Sequence, residues 1–315
     1  MDHSHSLFSS EFRLNTPALL AVVQNVCFKV LMRKTGVVFT GEPRVGKTSC
    51  CEALVEEIPK RFPNVYVFMI PAVSVDSSGE RYSSIIHQML DLEEIKPGTR
   101  VTFIQRQSLL IERLLIRAAQ KNARQIVMLI DELQRLSAAD FNQLADVYNK
   151  LRAKRVTLTV ISFAMPSIEK KVIQFLDDDA RHIIGRFLSD IRPMYGVTSL
   201  TQLTSILKLY DESSSYCGSD LCYSNNILPK AYSCGFRISC VSEYIWLEMS
   251  RIATGKYVNN LPMEHVTQVV LYLFVILSQE DRCGLTVPPD LIVEAIHESN
   301  FKSFCRSTGS NHGCK

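Results

Sequence analysis

The feature that most constrains the fold of this chain is the eight-residue stretch GEPRVGKT at positions 41–48. It matches the phosphate-loop pattern G-x-x-x-x-G-K-S/T and follows the strand-like stretch GVVFT at 36–40. The glycines allow the backbone to wrap closely around phosphate groups, so that N–H groups and the following helix N-terminus face negative charge. The pattern therefore predicts a strand, a phosphate-binding loop and a helix in succession. A chance match is the alternative, because four of the pattern's positions are free.

A second motif follows 83 residues after Thr48, where Asp131 closes the apolar run IVMLI and is followed by Glu132. A strand that ends in two carboxylates beside a phosphate loop predicts a site for ATP and Mg²⁺. We expect Lys47 to reach the β and γ phosphates, and Thr48 and Asp131 to hold the metal. Glu132 is the expected base that orients and activates the attacking water. The expected nucleotide-contacting stretch comprises Gly41, Glu42, Pro43, Arg44, Val45, Gly46, Lys47, Thr48 and Ser49.

The order of strand and helix patterns predicts an α/β fold. Strand-like and helix-like segments alternate up to about residue 195, which indicates a parallel sheet with helices on both faces. From Gly196 onward the periodicity is helical. We therefore expect an N-terminal arm and helix (1–35), a nucleotide-binding core (36–195) and a C-terminal helical lid (196–315).

Composition and charge add few constraints. The formal net charge of +3 is compatible with a nucleic-acid partner without demanding one. The longest apolar run, Val269 to Leu277, is nine residues, about half of a bilayer span, so no membrane association is expected. We expect a cytoplasmic protein whose ten cysteines are ordinary thiols. The alternative is zinc, at the loosely spaced Cys217, Cys222, Cys234 and Cys240.

The position of the acidic strand favours one branch of phosphate-loop ATPases. An intervening strand and helices separate it from the loop, as in the additional-strand class, and the helical C-terminal region looks like the lid of an AAA+ protein. In such proteins ATP lies between subunits, and an arginine of the neighbour stabilises the transferring phosphate. The stretch LDDDARHIIGRFLSD offers Arg186, the first choice, and Arg181. The alternative is an arginine paired with the acidic run Asp177–Asp179.

Three stretches resemble one AAA+ family. The acidic strand reads IDELQRL (130–136), and GRFLSDIRPMYGVTSLTQLTSIL (185–207) precedes LPKAYSCGFRISCVSEYIW (228–246). These are similar to the ATP-dependent transposition regulators TnsC, TniB and MuB, most of all TnsC of CRISPR-associated or related transposons. The resemblance, from about residue 33 to 250, implies that Arg237 is a lid arginine that contacts the nucleotide. One departure is Met165 in SFAMPS, where the family has a polar sensor residue; Ser162 or Ser167 could substitute.

The resemblance also implies a function. TnsC-like proteins assemble with ATP into rings or helical filaments on double-stranded DNA in the bacterial cytoplasm. There they recruit a transposase (TnsB-like, possibly TnsA-like) and connect it to a TniQ-like target selector. Two alternatives stay open: an AAA+ motor or remodeller that acts on nucleic acid or protein, and a STAND-type nucleotide switch.

Basic residues between 96 and 124 give the sequence's own indication of DNA binding. This stretch contains seven basic residues and only one acidic residue, Glu112. On a helix, Arg106, Arg113 and Arg117 would fall within about 40° of one another, on one face. Such a stripe can follow phosphates without reading bases. A solvated face, a subunit contact or a pairing with the Asp177–Asp179 run are the alternatives. The expected DNA contacts are Lys96, Arg100, Arg81 and Arg106.

Overall fold

The computed structural model describes residues 7, 9, 12–73, 84–98, 100–212 and 221–308. The chain divides into two compact units. One comprises Ala21–Gly41 and Lys47–Met194 and is called here the sheet unit; the other comprises Met1–Leu20, Glu42–Gly46 and Tyr195–Lys315 and is called the helical unit. Each unit has its own hydrophobic core.

The sheet unit contains one five-stranded sheet in the order β2-β3-β4-β1-β5. Its strands are β1 (Gly36–Thr40), β2 (Tyr66–Pro71), β3 (Gln125–Asp131), β4 (Thr157–Ala164) and β5 (Ile191–Pro193). All neighbouring strands are parallel. Every residue of β3 is buried, as expected for a central strand whose two faces are both covered.

The strand order places the two predicted motifs on strands that are not neighbours. β4 lies between β1 and β3, with Val38 of β1 opposite Ser162 and Met128 of β3 opposite Val160. An added strand between these two is the arrangement of the additional-strand class, which the sequence analysis favoured. Because parallel strands end at the same edge of a sheet, the loop after β1 and the acidic end of β3 meet at that edge.

Among the residues described, seven helices accompany the sheet along the chain. They are α1 (Pro17–Leu31), α2 (Lys47–Arg61), α3 (Ile85–Leu92), α4 (Phe103–Gln120), α5 (Ala138–Ala153), α6 (Ile168–Asp177) and the short α7 (Arg181–Ile183). Two of them begin with capping boxes: Thr102 with Gln105 before α4, and Ser137 with Asp140 before α5. Asp140 also accepts a hydrogen bond from the backbone of Ile85, which fixes the start of α3 relative to α5.

In the described part of the helical unit there are seven further helices. They are α8 (Leu200–Glu212), α9 (Tyr223–Ile227), α10 (Pro229–Ser233), α11 (Ser242–Ile252), α12 (Met263–Leu277), α13 (Pro289–Glu298) and α14 (Phe301–Thr308). The buried carboxylate of Asp211, at the end of α8, accepts hydrogen bonds from the Ser224 hydroxyl and from the backbone N–H groups of Ile238 and Ser239. This one side chain therefore ties three segments of the unit together.

The alternation of strands and helices in the first part of the chain and the helical character after Gly196 agree with the sequence-based prediction. The five-residue helices α9 and α10 and the terminal α14 were not predicted. Within the described part of the chain, no helix is long and apolar enough to cross a membrane.

The cysteine prediction is wrong for one pair. Cys234 and Cys283 form a disulfide within the helical unit, across 49 residues of sequence. No cluster of three or more His, Cys, Asp or Glu side chains that could hold a metal ion occurs among the residues described. Cys217, part of the zinc alternative, lies outside them.

Candidate nucleotide site

The phosphate loop lies between the end of β1 and the start of α2. Lys47, the first residue of α2, is 6% exposed, and its Nζ donates to the backbone oxygen of Gly41 over 2.8 Å. Gly46 has φ +103°, a left-handed conformation that a side chain would strain. The loop therefore has the backbone curvature that a phosphate cradle requires, with a buried cation at its end.

Thr48 and Asp131 connect the two sequence motifs. The Thr48 hydroxyl donates to Asp131 Oδ2 over 2.7 Å. The other carboxylate oxygen, Oδ1, accepts from the backbone N–H of Glu132 over 3.0 Å, which fixes the orientation of Asp131. Ser49 is exposed on the first turn of α2.

The donor set at this point fits a hard divalent cation. A hydroxyl and a carboxylate oxygen lie within hydrogen-bond distance of each other, beside a loop shaped for phosphates. Mg²⁺ prefers oxygen ligands and is bound by one or two protein side chains together with substrate phosphates. Thr48 and Asp131 would hold it, as the sequence predicted.

Glu132 follows Asp131 in a strained conformation. Its φ is +59° and ψ is 42°, which places it in the left-handed region rarely used by residues other than glycine, asparagine and aspartate. Its carboxylate oxygen Oε2 accepts from Gln134 Nε2 over 2.6 Å, and Arg135 Nε lies 3.6 Å from the same oxygen. The Glu132 carboxylate is thereby held against the turn Leu133–Arg135, which follows β3.

At the end of β4, where the resemblance predicts a polar sensor side chain, the polar contact is made by the backbone of Met165. Met165 follows β4, and its backbone N–H donates to Gln134 Oε1 over 2.9 Å. Of the two alternatives, Ser162 is buried within β4 and Ser167 precedes α6 without a side-chain cap hydrogen bond. The polar group that contacts the backbone at this strand end is therefore the Gln134 amide, which the sequence analysis included only as part of IDELQRL.

The middle of the loop, Glu42–Gly46, belongs to the helical unit. The Arg44 side chain forms an ion pair with Glu264 on α12 and lies over the Phe304 ring at 5.4 Å. The Glu264 N–H donates to the Arg44 backbone oxygen over 3.2 Å, and Lys256 lies 3.3 Å from Glu42. The two residues on either side of Arg44 are less accessible: Pro43 is half-buried and Val45 is buried. Polar contacts thus hold this part of the loop.

The two predicted finger arginines have different surroundings. Arg181 pairs with Asp179 at 3.2 Å, and both side chains are more than 80% exposed. Arg186 lies on a π-helical turn, Ile184–Leu188, where its guanidinium faces the Tyr148 ring at 5.6 Å and donates to Asn149 over 3.4 Å. Arg181 therefore has the acidic partner that the alternative described, whereas Arg186 is held by an aromatic face and a neutral amide.

Arg237 contacts only nearby groups among its described interactions. Its guanidinium stacks on the Tyr232 ring at 3.6 Å and donates to the backbone oxygens of Tyr232 and Phe236. These contacts hold the side chain within the helical unit. The nucleotide contact expected from the resemblance stays a prediction.

The predicted basic stripe is partly neutralised by Glu93. This carboxylate is 3% exposed and accepts from Arg113 over 3.0 Å, Arg117 over 2.8 Å and the Tyr66 hydroxyl. Burial by itself would raise the pKa of Glu93, but these hydrogen bonds, led by that of Tyr66, bring the pKa below its usual value. None of the alternatives considered from the sequence included this partner.

The remaining basic residues differ in accessibility. Arg106 contacts His87, whose pKa is lowered first by burial and then by the arginine charge. Lys96 and Arg100, in the segment before α4, are exposed. Arg81 lies outside the described residues.

Comparison with known proteins agrees with this arrangement. Residues 31–172 match a family model described as an AAA domain. This stretch contains the phosphate loop, the acidic strand and the extra strand between them. The chain has the AAA+ P-loop fold.

Solved structures share this AAA+ fold at low identity. Cdc6p of Pyrobaculum aerophilum has a TM-score of 0.62 at 15% identity, over 95% of this chain and 71% of that one. ORC2 of Aeropyrum pernix, in ADPNP–ADP complexes, gives 0.58 at 12%, over 93% and 71%. ORC1 of the same organism, in complex with DNA, gives 0.53 at 10%, over 93% and 68%. Comparison with curated proteins gave no match. None of this is specific to the TnsC, TniB and MuB family.

Proposed function

We propose that this AAA+ chain binds and hydrolyses ATP with Mg²⁺, and that its ATP-bound subunits assemble on double-stranded DNA. The observation that carries the proposal is the 2.7 Å hydrogen bond between Thr48 and Asp131, which joins the phosphate loop to the acidic strand end. The buried Lys47 lies at the same loop, and Glu132 adjoins Asp131. The residues proposed to bind phosphate, to bind the metal and to act as the general base therefore lie close together.

The expected reaction uses these residues in separate roles. Water oxygen bonds to the γ phosphorus as the bond to the β,γ-bridging oxygen breaks, ADP leaves with that electron pair, and Glu132 accepts the water proton. Lys47 binds the β and γ phosphates, and loop N–H groups orient them. When bound, Mg²⁺ neutralises phosphate charge.

Assembly is proposed from the outward-facing cations. An arginine that completes a neighbour's site must be accessible; Arg181 is exposed and Arg186 is half-buried. Lys96 and Arg100 are exposed before α4 and supply positive charge for a phosphate backbone. The Aeropyrum pernix ORC1 structure with the same fold was determined in complex with DNA. This supports duplex DNA as the partner to test first.

The specific role that we propose is regulation of transposition. The support is the likeness of IDELQRL and of the GFRI segment to TnsC-like regulators. In this role, rings or filaments of the protein on DNA in the bacterial cytoplasm recruit a transposase of the TnsB-like or TnsA-like kind. They connect it to a TniQ-like target selector. Arg237 would contact the nucleotide from the helical lid.

The first test measures ATP turnover and duplex binding together. Wild type should release phosphate from ATP and bind a fluorescent duplex more tightly with a non-hydrolysable ATP analogue than without nucleotide. Lys47→Ala should lose nucleotide binding and, with it, the analogue's effect on duplex affinity. Glu132→Gln should keep ATP bound and lengthen the lifetime of the DNA complex.

Three results would contradict the proposal. Failure of wild type to bind ATP removes the nucleotide site. Turnover by Glu132→Gln at the wild-type rate removes the assigned base. Duplex affinity that is the same with analogue, with ADP and without nucleotide removes the coupling to DNA.

A further inference from the structure

Gln134 bridges the end of β3 and the end of β4. It lies in the short turn Leu133–Arg135 that directly follows the acidic strand. Its Nε2 donates to Glu132 Oε2 over 2.6 Å, and its Oε1 accepts from the Met165 N–H over 2.9 Å. A backbone N–H can only donate and a carboxylate can only accept, so these partners fix which end of the amide is oxygen.

The bridge restrains the side chain of Glu132, whose backbone has an unfavourable conformation. Glu132 occupies the left-handed region, which is strained for a residue with a side chain. Gln134 reaches back from two residues along the chain and holds the carboxylate, while its other end is fixed to the adjacent strand. The Asp131 carboxylate cannot provide this restraint, because a carboxylate only accepts hydrogen bonds and repels a second carboxylate.

We propose that Gln134 is a positioning residue for ATP hydrolysis: it fixes the Glu132 carboxylate against the end of β4 for water activation. This inference rests on the proposed ATPase function. The amide holds Oε2, so Oε1 is the oxygen assigned to the attacking water. The anchor at Met165 is a backbone N–H, so a methionine side chain is compatible with the role at a position where related proteins carry a polar sensor.

The chemistry of the amide suits this task. A carboxamide is neutral and cannot remove the water proton, so it orients the base without competing for its role. Arg135, 3.6 Å from the same oxygen and 51% exposed, makes a longer and more solvated contact. A positioned general base contributes about 10² to 10⁴ in rate, and misplacement by about 1 Å can cost 10²-fold.

The test separates positioning from nucleotide binding and from folding. Three variants are compared with wild type: Gln134→Ala removes the bridge, Gln134→Met keeps the length of the side chain without its hydrogen bonds, and Gln134→Glu keeps the shape but adds a repelling charge. Gln174→Ala, at an exposed position of α6, is the matched control. Steady-state turnover gives kcat and KM for ATP, and binding of a fluorescent ATP analogue gives Kd.

We expect kcat to fall about 10- to 100-fold in all three Gln134 variants, with Kd for the analogue within about threefold of wild type. Gln174→Ala should have wild-type kcat. Equal losses in Gln134→Met and Gln134→Ala, at unchanged melting temperature, would attribute the effect to the hydrogen bonds. Wild-type kcat in Gln134→Ala overturns this inference alone, as does a loss explained entirely by weaker analogue binding. ATP binding without turnover in wild type contradicts the proposed function itself.

Discussion

The Thr48 hydroxyl donates to the Asp131 carboxylate over 2.7 Å, although 83 residues separate the two in sequence. One belongs to the first turn of α2 and the other ends β3. Their proximity results from the parallel sheet, in which the ends of all strands lie at one edge. Glu132 directly follows Asp131, and Gln134 contacts Glu132, so the proposed chemistry is located at this edge of the sheet.

The hydroxyl of Thr48 should be essential for metal-dependent turnover. Thr48→Ala removes one of two side-chain oxygens at the proposed Mg²⁺ position, so we expect at least about a tenfold lower kcat and a higher Mg²⁺ concentration for half-maximal activity. Thr48→Ser retains the hydroxyl and should remain close to wild type. The measurement is phosphate release across a Mg²⁺ titration. Equal Mg²⁺ dependence in the alanine and serine variants would contradict the assignment.

Arg186 should act on the site of a neighbouring subunit. Arg186→Ala is expected to reduce turnover on the order of 10³-fold while each subunit still binds ATP. The same measurement on Arg181→Ala should give a smaller loss, because Arg181 is already paired with Asp179. A larger loss for Arg181→Ala would reverse the assignment.

Mixing two inactive variants tests whether that arginine acts in trans. In a mixture of Arg186→Ala and Glu132→Gln, some sites combine an intact Glu132 with an intact Arg186 from the neighbour. Turnover should therefore recover to a measurable fraction of wild type. A mixture that is no more active than its parts would place Arg186 in its own subunit's site or outside the mechanism.

The loop before α4 should contribute to a salt-dependent DNA affinity. The slope of log K against log salt falls by about 0.9 for each phosphate that a protein no longer neutralises. Lys96→Ala and Arg100→Ala should each reduce the slope by roughly this amount, without changing any preference between duplex sequences. Lys154→Ala, which changes an exposed cation after α5, is the control. If Lys96→Ala and Arg100→Ala have the same slope as Lys154→Ala, the loop before α4 does not contact the DNA phosphates.

Glu93 should be a stability residue whose contribution depends on pH. Removing one partner of a buried ion pair costs about 3–5 kcal/mol, so Glu93→Ala should lower the free energy of unfolding by that amount at neutral pH. The folded-state pKa is lowered, so the contribution is complete above the unfolded value of about 4.3 and is lost as pH falls through the folded value. Urea titrations of wild type and Glu93→Ala at pH 7 and pH 4 give the difference.

The control for Glu93 is Glu112→Ala, an exposed acid on α4. It should change the free energy of unfolding by less than about 0.5 kcal/mol. The stability gap between wild type and Glu93→Ala should narrow toward acid pH. A gap that is constant from pH 7 to pH 4 would show that packing, rather than the ionised carboxylate, supplies the stability.

Local signals in the sequence were sufficient for the sheet and for the central motifs. GVVFT, GEPRVGKT and IVMLIDE combine apolar runs with residues of one specific chemistry, so strand, loop and carboxylates could be predicted without knowing the topology. The long helices were similarly evident from their periodicity. The helices α9 and α10 were not, because five residues contain too few turns to show a period.

Partners distant in sequence could not be predicted. Glu93 pairs with Arg113 and Arg117 from the end of a different helix, and nothing in the spacing of the arginines identifies it. The Cys234–Cys283 disulfide likewise depends on how the helical unit packs. The bridge from Gln134 to Met165 spans 31 residues and two strands. The stretch IDELQRL contains Gln134, but nothing in it indicates what that side chain would bind.

The central claim is that ATP, bound at the phosphate loop and the acidic end of β3, governs assembly of this chain on duplex DNA. The most direct test is the mass of the complex, measured by sedimentation velocity at low ionic strength with duplex, with a non-hydrolysable ATP analogue, and with both. We predict a multi-subunit complex that forms only when duplex and analogue are both present. The Lys47→Ala variant should not form this complex. A wild-type protein that stays monomeric and does not sediment with duplex at saturating analogue would contradict it.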